Sequence, residues 1–546
     1  MSFLILYYCE NDKQVKEINK FLSLLENSGV YDVIKKEISD DEKANNVGGR
    51  PTYNPFNMLA MIIYSFAFSF SSLRDLEDRC LNDLRVIYIM NYEQPSYKTI
   101  GNFINTVILP NADKIFHTIV KEIIKECSLT LDNLFIDGSK FEANCNKYKF
   151  VWKPTTYHVN LSKKVIDILD KYGIEHTEDK SGIISSGQIA ESIIKIDKIL
   201  KDNKLNDDEK KACQEAYSTL VNCLDKGKEY ELKERICGPN RKSYYRTDFD
   251  ATAMCLKEDY YSGLGSNMHA AYNVQLCVSN GLISSFLVTN SRNDLYDFIP
   301  TLDKFYKYYG YYPKNVCADS GYGSLYNYAY MDEHSINNFV KHQSWQGEVS
   351  AKHPRCYNIN YDETITCLGG KTGHKMESDP HHPKMKGATF YKITGCKNCD
   401  FSPYCKRYLK VKSENFKYFE VNVHLQKYIK ESEENLLSTK GIELRVNRSC
   451  QVEGAFGIIK QDMGYERFRR ITYKKVSLEF MLTALGFNIR KLFRFYKGEN
   501  PFTYWIPSVD LEPEKKKKPS FKRLNKKVTK AKTKSVNQKA KDNYKY

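Results

Sequence analysis

Among the 67 acidic residues of this 546-residue chain, Asp137, Asp319 and Glu453 are the ones whose setting suggests chemistry. Asp137 closes the apolar run Leu134-Phe-Ile and Asp319 closes Asn315-Val-Cys-Ala, and each is followed within two residues by a glycine. An apolar run ending on an acid reads as a buried strand, and the glycine lets the backbone turn away so that the carboxylate faces a cleft. Turn capping is the commoner role of a lone strand-end acid. Two such acids on neighbouring strands, joined by a third, make a metal site. The third candidate is Glu453, in Arg448-Ser-Cys-Gln-Val-Glu-Gly-Ala-Phe-Gly-Ile-Ile-Lys460. Val452, Ala455, Phe456 and Ile459 follow the spacing of a buried helical stripe. Glu453 and Lys460 then share another face, two turns and about 10.5 Å apart. A solvated face is the plain reading of one helical Glu; Lys460, Arg445 and Arg448 nearby suggest a surface that meets phosphates beside a metal ligand.

The elements that must position these acids can be read in outline. Pro55 opens a helical run through Leu59, Ile62, Ile63 and Phe66, Ser71 and Ser72 can cap a second helix, and Ser96 a third carrying Ile100, Phe103, Ile104 and Val107. Short helices with tight connections fit either an ordinary bundle or a helix-turn-helix module, which would expose Lys98, Thr99 and Asn102 on its third helix. Residues 160 to 235 are polar and charged and predict an inserted helical hairpin. Ala271 to Val278 and Leu282 to Thr289, joined by Ser-Asn-Gly, predict a β-hairpin. A helical stretch (Leu295, Phe298, Leu302, Phe305) leads to the Asp319 strand. Strand, hairpin, helix, strand implies an α/β fold, a mixed sheet flanked by helices. Asp248 and Asp250 precede the hairpin and are rival acids, with a turn or capping role expected.

With these segments in order the chain resembles the insertion-sequence transposases of the DDE type, which have an RNase H-like catalytic core. The resemblance runs from about Arg50 to Lys497. It is carried by the helical block beginning Arg50-Pro51, by Phe135-Ile-Asp137-Gly-Ser-Lys-Phe-Glu-Ala-Asn144, by Tyr245-Arg-Thr-Asp248-Phe-Asp250-Ala, by Ala271-Tyr-Asn-Val-Gln275, by Ala318-Asp319-Ser-Gly-Tyr322-Gly and by Gln451-Val-Glu453-Gly-Ala-Phe-Gly457. It implies that Asp137, Asp319 and Glu453 hold two Mg²⁺ or Mn²⁺ ions, with Asp137 on the central strand bridging both, because such ions take hard oxygen ligands and act on both sides of a phosphoryl transfer. It implies that the protein binds the ends of its mobile element, cleaves them and joins the 3′ ends to target DNA, as a homodimer in the DNA complex. A related branch carries Tyr seven residues and Arg four residues before its glutamate and Lys seven after. Here those positions hold Val446, Ser449 and Lys460, so only the lysine matches, and Arg448 is the substitute phosphate contact. The other readings are a noncatalytic DNA-binding protein derived from a transposase and a metal-dependent nuclease without strand transfer.

The implied layout is an all-helical DNA-binding domain over residues 1–120, an RNase H-like domain over 130–500 interrupted by a helical insertion at 155–240 and a cysteine-containing insertion at 340–440, and a basic tail at 511–546. Between Asp319 and Glu453 lie too many residues for a loop. They include Cys367, Cys396-Lys-Asn-Cys399 and Cys405, thiols that can complete a structural Cys₄ zinc site, with His381 and His382 as competitors. Trp345 in the same stretch reads as a buried structural residue, with stacking on a flipped base as the alternative.

Charge points the same way more weakly. The formal net charge is +16, but residues 511–546 carry 13 Lys and one Arg against three acids, so the remaining 510 residues carry only +5. The tail predicts a disordered arm, either solubilising or phosphate-binding. With 41% apolar residues the chain is too hydrophobic to be disordered, its 16 cysteines are too sparse for a disulfide scaffold, and its longest apolar stretch, Met58 to Phe70, is short for a membrane span. No signal peptide is evident at Phe3 to Tyr8. The expected setting is the bacterial cytoplasm, at the nucleoid, with no membrane.

Overall fold

The computed structural model describes residues 13–35, 37, 52–68, 72–201, 206–239, 241–256, 268–343, 345, 357–377, 387–406, 415–508 and 511–514. Phe3 to Tyr8, Arg50-Pro51, His381, His382 and the basic tail beyond Glu514 lie outside the described residues.

The centre of the protein is a mixed sheet. Its strands are β1 (Asn133–Glu142), β4 (Thr252–Cys255), β5 (Met268–Ser279), β6 (Leu282–Thr289), β7 (Asn315–Ala318) and β8 (Asn337–Val340). β5 runs antiparallel to β1 and carries β4 on its first residues and β6 on the rest, while β7 is parallel to β1 and β8 parallel to β7. Asn280 and Gly281, both at positive φ (51° and 74°), make the tight β5–β6 turn that Ser-Asn-Gly predicts. The expectation of an α/β fold, a mixed sheet flanked by helices, therefore holds.

Helices cover both faces. On one lie α1 (Phe298–Tyr309) and α2 (Leu325–Glu333), burying Phe298, Leu302, Phe305 and Met331 against Leu134, Ile136 and Val316. On the other lies the 24-residue helix Tyr473–Tyr496, joined by the helices of residues 13–126 in the largest core of the molecule. There Pro55–Phe68 is almost wholly buried, and Gly486 lets the long helix touch it: a Cβ at Gly486 would lie 2.3 Å from the Phe66 carbonyl oxygen. Among the described residues no single helix is long and apolar enough to cross a membrane; Pro55–Phe68 and Leu73–Asn82 pass only as a pair bent by 101°.

Ser72 and Ser96 cap their helices as read, Ser72 through a full capping box with Asp75. The helix after Ser96 is only seven residues of α-helix, Tyr97–Phe103, and then continues through a π-helical turn into Leu109–Glu126. Residues 155–237 are three helices, Thr155–Lys171, Ser186–Leu200 and Asp207–Cys237, where the sequence reads as a hairpin. Leu161, Val165, Leu169, Ile189, Ile196 and Leu220 give them a core of their own. They sit between β2 (Phe150–Trp152) and β3 (Ser243–Tyr245), which pair with each other. A further antiparallel sheet is built from β9 (Tyr357–Ile359), β10 (Ile365–Cys367), β11 (Thr372–Lys375), β12 (Thr389–Thr394) and β13 (Phe416–Val421), each paired with the next. Its three- to six-residue strands are too short to announce themselves by alternation.

Candidate active site

β1 does not end at Asp137, as its sequence predicts, but runs five residues further, because Asp137 to Glu142 pair with Leu276 to Ala271 of β5. Gly138 accordingly makes no turn. It lies opposite Gln275, and a Cβ there would sit 2.5 Å from Gln275 Nε2 and 2.6 Å from Asp294 Oδ1, so only glycine admits those two side chains. Asp319 does follow the last residue of β7, one strand over, and its Oδ1 accepts the Gly321 amide at 2.8 Å.

Glu453 reaches the same place from a helix. The buried stripe is as read: Val452, Ala455, Phe456 and Ile459 all face the core. The helix itself is irregular, with π-helical turns at Ser449–Glu453 and Ile458–Asp462 around one α turn. Such wide turns recur at functional sites and shift the register of everything beyond them. The spacing of two regular turns between Glu453 and Lys460 therefore does not apply. The Lys460 ammonium donates to the Lys140 carbonyl at 2.9 Å and lies 4.5 Å from the Phe141 ring centre, tying the helix to β1.

The residue that joins the acids is Arg448. Its Nη1 donates to Asp137 Oδ2 at 3.1 Å and its Nη2 to Glu453 Oε1 at 2.8 Å; Ser449 Oγ donates to the other Glu453 oxygen at 3.0 Å. Arg445, the other predicted phosphate contact, instead pairs with Glu514 at 3.0 Å. Burial pushes the Asp137 carboxyl up from 3.8 to about 6 against the opposing pull of Arg448, with Asp319 and Glu453 adding to the rise. The same acids, with Cys317, outweigh the burial of Arg448 and hold its pKa above the ordinary value. A bridging cation between Asp137 and Glu453, with Asp319 within electrostatic range, is what a divalent ion would replace, and the oxygen donors suit Mg²⁺. As placed, with the guanidinium between them, no three His, Cys, Asp or Glu side chains among the described residues are gathered to hold a metal ion.

Beneath the acids lies a polar network whose hub, Asp294, nothing in the sequence announces. Asp294, just past β6, accepts from Asn273 Nδ2 at 2.6 Å and Gln275 Nε2 at 2.9 Å, and the Tyr322 hydroxyl donates to Gln275 Oε1. Asn273, Gln275 and Tyr322 are fully buried. Asp294 Oδ2 and Asp319 Oδ1 both lie within 3.8 Å of the point a Gly321 Cβ would occupy. The network thus packs the Asp319 turn against β5 and β1. Asp248 and Asp250 are engaged elsewhere: Asp248 takes the Tyr272 hydroxyl at 2.8 Å and the Thr472 amide at 3.2 Å, and Asp250 the Tyr473 amide at 2.8 Å. They cap the long helix, as expected.

Of the other sequence-chosen residues, Lys98 and Asn102 are exposed and Thr99 is half-buried, its hydroxyl within 3.1 Å of that of Ser96. Trp345 is half-buried against the large core with its ring on His342. Cys367, Cys396 and Cys405 pack on the small core of the second sheet. A Cβ at Gly369 would lie 2.7 Å from Cys399 Sγ and 3.8 Å from Cys367 Sγ, and Cys405 Sγ accepts from Lys417 at 3.1 Å.

Comparison with known proteins bears on both ends of this arrangement. The family model of a transposase DDE domain matches residues 366–493, which hold the thiols, Arg448, Glu453 and Lys460. A second transposase domain model matches residues 10–106, the first helices. No curated protein and no solved structure matches the chain. With one transposase domain model matching its first helices and another the segment that brings Glu453 to Asp137, the matches indicate an insertion-sequence transposase of the DDE type.

Proposed function

We propose that this transposase cleaves the ends of its mobile element by metal-dependent phosphoryl transfer at Asp137, Asp319 and Glu453, and joins the freed 3′ ends to target DNA as a homodimer. One observation carries the reading. Three acids more than 130 residues apart in sequence meet around a single guanidinium, two of them directly bonded to it. The β6-β5-β1-β7-β8 order, antiparallel for the first three strands and parallel for the rest, supports an RNase H-like core over about 130–500 with inserts at 155–240 and 340–440, fed by a helical DNA-binding domain over 1–120.

Two Mg²⁺ or Mn²⁺ ions held by the three carboxylates would supply the charge that activates the attacking oxygen and stabilises the leaving one. The protein's own groups set the geometry. Asp137 is fixed in mid-strand by pairing with Leu276 of β5, Asp319 by the Gly321 amide and the Tyr322–Gln275–Asp294 network, and Glu453 by Ser449. Arg448 compensates the acids at rest and becomes a phosphate contact once it swings away. Lys98, Thr99, Asn102 and Arg445 are further candidate DNA contacts, and the basic tail a nonspecific one. Work on DNA places the protein in the cytoplasm, at the nucleoid. The neighbourhood of four thiols, with Cys405, Cys367 and Cys399 all within electrostatic range of Cys396, supports a structural zinc that would draw Cys367, Cys396, Cys399 and Cys405 together.

The test is cleavage of a duplex carrying the element's ends, with Mg²⁺, by the full chain and by Asp137→Asn, Asp319→Asn and Glu453→Gln. Each variant should bind the DNA and leave it uncut.

A further inference from the structure

A stretch just after β1 is basic and contains no acid at all. From Ala143 to Ile166 there is neither Asp nor Glu but five lysines, 147, 149, 153, 163 and 164, a local charge equal to that of the whole chain before the tail. Interleaved with them are aromatic residues that the fold leaves outside: Tyr148 is 77% exposed, Phe150 43%, Trp152 64% and Tyr157 70%. Large rings are ordinarily buried, and nothing in the sequence requires three of them on one ribbon, with Tyr157 in the first turn of the helix that follows, to be in water. The ribbon is held rigid all the same. Phe150 to Trp152 pair with Ser243 to Tyr245, the Arg246 amide donates to the Lys149 carbonyl, and the Lys153 ammonium donates to the Gly238 carbonyl at 3.0 Å. Phe150 and Trp152, two residues apart on one strand face, stand edge to face at 5.3 Å.

We propose that this ribbon is a stacking platform for unpaired bases of the DNA strand flanking the cleavage site. Its chemistry is that of nonspecific single-strand binding, in which lysines follow the phosphates and exposed rings take the bases. A protein partner is disfavoured by the lysines that flank the touching pair of rings, Lys149 before Phe150 and Lys153 after Trp152. Position supports DNA as well. β1 leads from Asp137 to Glu142, a path of roughly 17 Å at strand rise, and the ribbon strand begins soon after at Phe150, so the chain that carries it runs directly on from the strand of the proposed active site. The proposal rests on the DNA-cleaving reading of the acids, but its test does not depend on cleavage.

The test uses the full chain and Trp152→Phe, with tryptophan emission as the readout. The protein has three tryptophans, so the difference between the two proteins reports Trp152. A 20-residue oligothymidine should quench that difference signal saturably. Tyr148→Ala and Trp152→Ala should each weaken oligothymidine binding about tenfold while leaving the melting temperature in place, since both rings are exposed. Heparin, a polyanion without bases, should leave Trp152 emission unchanged. Failure of oligothymidine to quench Trp152, or equal quenching by heparin, would overturn the stacking role. So would quenching that grows with protein concentration without DNA, which would show a second copy covering the ribbon. Loss of quenching with cleavage intact would count against the platform alone, whereas cleavage surviving in Asp137→Asn would count against the catalytic reading alone.

Discussion

Arg448 donates one guanidinium nitrogen to Asp137 across 311 residues of sequence, at 3.1 Å, while its other terminal nitrogen holds Glu453. An ion pair of this kind does two jobs in turn. It compensates acids that burial would otherwise neutralise, and it occupies the space a divalent cation needs.

Arg448 should therefore compete with metal. In Arg448→Gln, Mn²⁺ should bind the DNA-free protein about tenfold more tightly, the effect of removing one neighbouring positive charge worth ~1.4 kcal/mol. Calorimetric titration of Mn²⁺ checks this; weaker binding would show that Arg448 organises the acids without opposing the ion. DNA cleavage by the same variant should fall, because a phosphate contact is lost.

The raised pKa of Asp137 has a stability consequence with a definite sign. A carboxyl whose folded value lies above its unfolded one contributes stability at low pH that is lost as pH rises through about 6. The gap from 3.8 to about 6 is worth at most about 3 kcal/mol. In metal-free protein Asp137→Asn should raise the melting temperature at pH 7.5 and by about a third as much at pH 4.5, the effect vanishing only below the unfolded value of 3.8. A melting temperature lowered at pH 7.5 would mean that the Arg448 bond outweighs burial.

Gly138→Ala should damage the site without touching an acid. Its Cβ would strike Gln275 and Asp294, and overpacking of this kind costs about 1–3 kcal/mol. Cleavage should drop with the melting temperature, and Gly138→Ala combined with Asp294→Ala should recover part of the stability. No recovery would place the strain elsewhere.

Metal analysis of the purified chain should find about one zinc, lost in Cys396→Ser and Cys399→Ser together with the protease resistance of residues 357–421. A zinc-free preparation with that segment intact would leave the thiols as ordinary packing residues.

What could be read in advance follows from locality. Ser72 and Ser96 as caps, Asn280-Gly281 as a turn and the stripe Val452, Ala455, Phe456, Ile459 are each set by residues within a turn or two of one another, and all are where the sequence places them. The continuation of β1 past Asp137 depends on β5, some 130 residues away, and a glycine that admits a neighbour looks the same as one that turns a chain. The π-helical turns around Glu453 leave no mark on the apolar period, so the environment of Lys460 was not legible. Asp294 ends no strand and belongs to no motif; only the folded contacts with Asn273 and Gln275 give it away.

The most direct measurement is Mg²⁺-dependent cleavage of an element-end duplex by the full chain beside Asp137→Asn, with DNA binding followed in parallel. The account predicts that Asp137→Asn binds with unchanged affinity and cuts at least about a thousandfold more slowly, a barrier increase of ~4 kcal/mol. Cleavage by Asp137→Asn at the rate of the unaltered protein would contradict it.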